Sequence, residues 1–419
     1  MGRDSLERIV KRLSLPLAWG AAPRSTPSAN ENSSTDELIA AHQSSLANGR
    51  AGLALTCGVL HKAHPDSGWD RTAHKYLEAS LEVASSRIGL FDGLCGLGFV
   101  ADYLSCGQRR YQRFLASIEL SLKSELDRVC IHVERSVEGC CFSLVDIISG
   151  LSGIAIFLTR RANAGGSLEM LEQVGALLTK FVVTSPGKPL WRQPEALLQE
   201  ERSISDLNLG LAHGLPGILV ALSKVKAAGV QIDRIDDALE IGVGFLERLS
   251  TRDKFGLDWA SWGASSNLEV ASTSTSSRTA WCYGAPGVCA ALWHVGKVAS
   301  RRDWQDLARE GMAAVEARTL SNGWDESPTF CHGTAGVLHI ARRFSLETGD
   351  CLRLTDFLLR RLIDDYQPFS KFGYRDFGVN GARVDRQGVL QGTAGILLVI
   401  LGFVNPRLES DWDDMFALS

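Results

Sequence analysis

Apolar positions along this chain fall into two alternating kinds of segment. In the first they recur with helical spacing. Trp304, Leu307, Ala308, Gly311, Met312 and Val315 stand at i, i+3, i+4, i+7, i+8 and i+11. Leu171, Val174, Leu178, Phe181 and Val182 form a second such stripe, with Glu172 and Lys180 off it. In the other kind, as in residues 218–225 and 288–298, apolar side chains occupy nearly every side. A helix apolar all round belongs inside a fold, and an amphipathic one belongs outside.

Each of the all-apolar helices opens on a small-residue box, G-x-[ACSP]-G-[ILV]. The boxes begin at Gly49, Gly93, Gly150, Gly214, Gly284, Gly333 and Gly392. Their spacing runs from 44 residues (Gly49 to Gly93) to 70 (Gly214 to Gly284), enough for two helices and their connections. Gly378 and Gly381 share the glycine spacing but lack the small third residue and the aliphatic fifth, so they do not count as a unit. An internal repeat of this kind decides architecture before any single motif does. It predicts an all-α fold, an α/α toroid of seven inner and seven outer helices. Paired glycines let the chain turn sharply into each inner helix.

The residue before the first glycine is polar in every unit: Asn48, Asp92, Ser149, His213, Tyr283, His332 and Gln391. Equivalent units would set these side chains on one rim of the ring. Residues 1–36 read as a short amphipathic segment followed by a Pro/Ser/Asn-rich flexible linker. The toroid is then expected over 37–419, with room for a small insertion within 107–143. The polar stretches 265–277 and 366–387 read as rim loops and as candidate peptide contacts.

Composition narrows the class. The chain has 45% hydrophobic and 22% charged residues and a mean hydropathy of +0.00, as a soluble protein with a large core should. A net charge of −4 gives no electrostatic reason to expect nucleic acid or anionic lipid as a partner. No apolar run is long enough for a membrane span. Ten scattered cysteines without disulfide-like spacing, and no signal peptide, point to a reducing, cytoplasmic setting. Peripheral association with a membrane complex is compatible with this.

The chemistry concentrates at two adjacent boxes. Aligned on the glycine, Cys282 and Cys331 occupy the same position, and His332 occupies that of Tyr283 and His213. Two thiols and an imidazole at one edge, just ahead of helix N-termini, leave a fourth tetrahedral position open. That is the pattern of a catalytic zinc site. The other cysteines read as small buried hydrophobes, with Cys140 and Cys141 ambiguous, and His294 and His339 read as satisfied core histidines.

The boxes, together with HGLPG (from His213), R-x-x-x-CYG (from Arg278) and CHGTAG (from Cys331), resemble the lanthionine synthetase C-like family. The resemblance covers nearly the whole chain after about residue 37. It implies an α/α toroid that binds one Zn2+ per chain through Cys282, Cys331 and His332. It further implies catalytic roles for His213, Asp146 (in SLVDIISG), Arg278 and Tyr283. Some members carry an inserted β-rich domain, for which this sequence offers no convincing match.

The implied reaction adds a cysteine thiol of a dehydrated precursor peptide to dehydroalanine or dehydrobutyrine, closing a (methyl)lanthionine thioether ring. A peptide with its leader, the cognate dehydratase and an exporter complex are the implied partners. Two rivals share the ring. One is a family enzyme that adds glutathione to dehydroamino acids; the other is a non-catalytic peptide-binding scaffold, against which the intact ligand set counts. A glycan-processing α/α barrel would need paired rim carboxylates, and only Asp92 and Asp146 lie near the boxes.

Overall fold

The computed structural model describes residues 3–18, 42–134, 140–183, 191–192, 206–264, 278–378, 381–406, 408 and 411–419. The inner helices are α2 (Arg50–Ala63), α4 (Leu94–Tyr103), α6 (Leu151–Asn163), α8 (Leu215–Ala227), α10 (Ala285–Val298), α12 (Thr334–Thr348) and α14 (Thr393–Val404). Each packs on the next, and α14 packs back on α2, so the ring closes. Outside them lie α3 (Trp69–Leu81), α5 (Gln112–Glu134), α7 (Glu169–Val183), α9 (Ile235–Arg248), α11 (Arg302–Asn322) and α13 (Leu352–Asp364), one on each of α2 to α12. The fold is an α/α toroid.

The seventh outer position is filled by α1 (Arg3–Ala18), which packs on α14. Ile9, Val10, Leu13 and Leu17 are the buried stripe of this helix. The amphipathic segment expected ahead of the toroid is therefore part of its outer layer. The linker expected after it, residues 20–36, lies outside the described residues. Residues 112–134, where an insertion had room, form the outer helix α5.

Patterning explains the layers. α14 buries ten of its twelve residues, whereas the outer helix α13 buries only Leu354, Leu358 and Leu362, at i, i+4 and i+8.

The glycine boxes place the helices. The second glycine of each box faces a backbone carbonyl six residues earlier: Leu46, Leu90, Ile147, Leu211, Trp281, Phe330 and Val389. A Cβ at any of these glycines would overlap that oxygen. Gly336→Ala, pressed between the Phe330 carbonyl and Trp281, is expected to cost about 1–3 kcal/mol of stability. An unchanged urea midpoint would refute this. Gly284 adds a conformational demand: its φ of +94° suits glycine alone, and the Arg278 carbonyl lies against it.

Backbone hydrogen bonds stitch the seven turns into a closed circle. Ala47 N donates to Phe91 O (3.2 Å), Phe91 N to Ile148 O (2.9 Å), and Ile147 N to Ala212 O (3.1 Å). Ala212 N donates to Cys282 O (3.3 Å), Cys282 N to Cys331 O (3.1 Å), Cys331 N to Leu390 O (2.8 Å), and Leu390 N to Ala47 O (2.8 Å). All but Ile147 stand two places before a box glycine, so equivalent residues of neighbouring units are bonded neighbours. The polar residues that follow them share one rim.

The chain's last segment supports this rim from within. A 3-10 helix, Asp411–Phe416, stacks Phe416 on Phe330 at 3.8 Å and accepts a bond from Trp281 Nε1 at the Phe416 carbonyl (3.0 Å). Trp281 and Phe330 directly precede Cys282 and Cys331. Asp413 anchors the segment. Fully buried, it lies 2.7 Å from His339 Nε2 and 2.8 Å from Arg343 Nη1. His339 is thus the satisfied core histidine expected, whereas His294 Nε2 is buried without a hydrogen-bond partner among the described residues.

Burial opposes a charged Asp413, but the bond from His339 and the Arg343 charge hold its carboxyl below the usual range. Burial holds His339 down despite the Asp413 bond. Unfolding therefore takes up protons at both groups. The stability owed to His339 fades below about pH 6.5, and that owed to Asp413 below about 3.9, as each falls toward its folded-state value. Asp413→Ala is expected to remove about 3–5 kcal/mol by stripping a buried ion pair of one partner. It should also steepen the loss of stability between pH 8 and pH 5, because the carboxylate no longer offsets the burial that holds His339 down; a fall in urea midpoint across that range equal to that of wild type would refute this.

Candidate active site

Cys282 and Cys331 occupy the two bonded turns of units five and six, and their thiols hydrogen-bond each other. The bond from Cys331 overcomes burial and, with the charges of His332, Arg278 and His213 nearby, draws the Cys282 thiol down to about 7. The same sharing pushes Cys331 up. Burial alone pushes Cys57 up to about 12, so the paired thiols differ in kind from a cysteine read as inert.

His332 stands beside Cys331 with its ring Nε2 3.3 Å from Asp376 Oδ1. Among the described residues, no three His, Cys, Asp or Glu side chains are gathered as a metal site in their present arrangement. The donor set nonetheless fits a zinc ion in its chemistry: two adjacent thiols, one drawn toward ionisation, and an imidazole whose other nitrogen is engaged by a buried carboxylate.

His213 lies on the rim one unit before Tyr283. Its Nδ1 is 2.6 Å from Asp146 Oδ2, and its side chain is 28% exposed against 1% for Asp146. Asp146 Oδ1 accepts the backbone N–H groups of Ser149 (2.8 Å) and Gly150 (2.9 Å). One carboxylate thus ties down the turn into α6 and orients the imidazole. Phe142 meets the His213 ring edge-on at 5.2 Å, and Tyr283 lies 6.1 Å away on another side. The Tyr283 hydroxyl accepts from Asn208 Nδ2 at 3.1 Å. Arg278 is exposed, and its charge acts on Cys282, Cys331 and the carboxyl of Glu326. Burial pushes the Glu326 carboxyl up, against the pull of Arg278 and His332.

The seven residues singled out in the sequence therefore gather on one rim. Sequence reasoning missed Asn208, Ser327, Asp376 and Arg386. Asn208 belongs to β1 (Leu207–Asn208), paired antiparallel with β4 (Trp262–Gly263). Asp376 belongs to β5 (Asp376–Phe377), paired with β6 (Arg383–Val384). A signal for three of them existed. Arg87, Asn208, Arg278, Ser327 and Arg386 all stand six places before a box glycine, where the turn folds back against it.

Of the loops read as peptide contacts, 265–277 lies outside the described residues. The other, 366–387, holds Asp376 and Arg386 and so reaches the site itself. A cavity of about 540 Å3 lies beneath α1, at the far ends of α2 and α14 from the rim, and takes no part in it.

Comparison with known proteins agrees with this architecture. The model of the lanthionine synthetase C-like protein family matches residues 40–417. The nisin biosynthesis protein NisC of Lactococcus lactis subsp. lactis is 22% identical over 431 residues, covering 96% of this chain and 93% of its own. The solved structure of a nisin cyclase superposes with a TM-score of 0.74 at 19% identity, covering 99% of this chain and 96% of that one. With the repeat, the closed ring and the family match in agreement, the chain belongs to the lanthionine synthetase C-like family.

Proposed function

We propose that this protein is a zinc-dependent lanthionine synthetase, which closes thioether rings in a dehydrated precursor peptide. The observation that carries the reading is the meeting on one rim of the Cys282–Cys331 thiol pair with His332 and the His213–Asp146 pair. Zinc held by Cys282, Cys331 and His332 would supply the positive charge that deprotonates an incoming peptide thiol near neutral pH.

The remaining steps fall to the protein's own side chains. The peptide sulfur bonds to the β-carbon of the dehydroamino acid, and the double-bond electrons move onto the adjacent carbonyl as an enolate. Arg278 pairs with that developing negative charge. His213 delivers a proton to Cα, and Asp146 holds the imidazole in place for the transfer. Tyr283, beside His213, completes the wall against which the peptide backbone rests. Atoms balance as an addition of S–H across C=C, so peptide mass is unchanged.

The test is incubation of the purified full chain with a dehydrated cysteine-containing peptide. Alkylation of residual thiols and mass spectrometry then follow. Loss of alkylatable thiols at constant mass supports ring formation; retained thiols refute it. A gain of one glutathione when that thiol is supplied would assign the chemistry to an external nucleophile. Binding without either change would leave a scaffold. The dehydratase and an exporter are the proposed partners, and the cytoplasm the proposed location. Among the described residues, no helix is long and apolar enough to cross a membrane.

A further inference from the structure

We infer that Asp376 is a positioning residue that aims His332 at the two thiols; the inference rests on the zinc reading above. Asp376 is 4% exposed on β5, outside every glycine box, in a stretch that reads as a plain loop. Its Oδ1 accepts from Ser327 Oγ (2.7 Å) and lies 3.3 Å from His332 Nε2, while Oδ2 forms an ion pair with Arg386 Nε at 3.3 Å.

The carboxylate is thus held from two sides before it meets the imidazole. Ser327 comes from the turn of unit six, where its carbonyl also accepts from Thr334 N at 2.7 Å. Arg386 comes from the turn of unit seven and donates to Gln391 Oε1 at 3.2 Å. Gln391 in turn contacts Asn48 at 3.4 Å, so a run of polar contacts extends along the rim from unit one to His332.

Such an arrangement has a specific effect on an imidazole. A carboxylate against Nε2 favours the tautomer with the proton there, which leaves the Nδ1 lone pair as the ligand atom and fixes the plane of the ring. His213 is held in the same manner by Asp146, but through the opposite nitrogen. The two rim histidines therefore present opposite nitrogens to the site, Nδ1 in His332 and Nε2 in His213.

The experiment compares zinc affinity, by competition with a chromophoric chelator, for the full-length wild type, Asp376→Ala, Asp376→Asn, His332→Ala and the His332→Ala/Asp376→Ala double variant. Absorption of the Co2+-loaded forms reports ligand geometry. Asp376→Ala is expected to bind zinc about 10- to 100-fold more weakly and to shift the Co2+ ligand-field bands. Asp376→Asn, which keeps an acceptor oxygen, should recover most of the affinity. In the His332→Ala background, loss of Asp376 should change affinity little, because the residue acts through that ring.

Wild-type affinity in Asp376→Ala overturns the inference. So does an equal loss in both backgrounds, which would mark Asp376 as merely structural. Should Asp376→Ala fail to fold, Asp376→Ser takes its place in both backgrounds, and wild-type affinity there, or an equal loss with and without His332, also overturns it. A wild-type chain that binds no zinc overturns the zinc reading itself and is distinguishable from all of these.

Discussion

Substitution of His213 by alanine is expected to slow ring closure by about two to four orders of magnitude while leaving the metal content unchanged. The size follows from what a positioned proton donor contributes. The separation of the two readouts follows from the structure: the His213 ring is bonded to Asp146 through Nδ1, at 2.6 Å, and not to the thiol pair. Asp146→Asn should show a loss of comparable size. An amide keeps one oxygen to accept from Ser149 and Gly150, so the turn into α6 survives, but it no longer carries the charge that steadies a protonated imidazole. Single-turnover rates of thiol loss in a dehydrated peptide, read beside zinc per chain, check both. Unchanged rates in His213→Ala would remove this residue from the mechanism.

Cys331→Ala is expected to abolish both metal binding and cyclisation. Two coupled consequences make the effect large. The variant removes one proposed ligand, and it removes the hydrogen bond that draws the Cys282 thiol down to about 7. Without that bond, burial pushes the Cys282 thiol up, opposed only by the charges of His332, Arg278 and His213. Elemental analysis of protein prepared without chelator should give about one zinc per wild-type chain and none in the variant. Zinc that survives the substitution would sink the ligand assignment, and cyclisation that survives it would separate the activity from this pair of cysteines.

The repeat made the toroid and its rim legible because the backbone demands it. Where a carbonyl presses on every second box glycine, no other residue fits, and the requirement is written seven times. Register then carried the inference from units to chemistry: Cys282 and Cys331 share a box position, and in the fold Cys282 N donates to Cys331 O. Asp376 had no such register. It sits on a two-residue strand, too short to show alternation, and acts through partners from two different turns. Asn208 and Arg386 were concealed differently. They obey a second register, six places before the glycine, that is visible only once the turn is known to fold back. The place of α1 was illegible for a third reason. Its amphipathic stripe shows that it packs on something, but helical periodicity does not say which helix receives it.

That last contact governs how the molecule is assembled. Every other outer helix packs on an inner one close by in sequence, whereas α1 docks on α14, and Arg12 bonds the Pro368 carbonyl across 356 residues. An open row of units can grow by local collapse, each turn finding its successor. The circle cannot close until both extremities have been made, and it carries the largest loop-closure entropy of any contact in the fold. Through synthesis, the apolar stripe of α1 waits without its mate, a surface that a chaperone or another nascent chain can capture. The rim is whole only once that ring has closed.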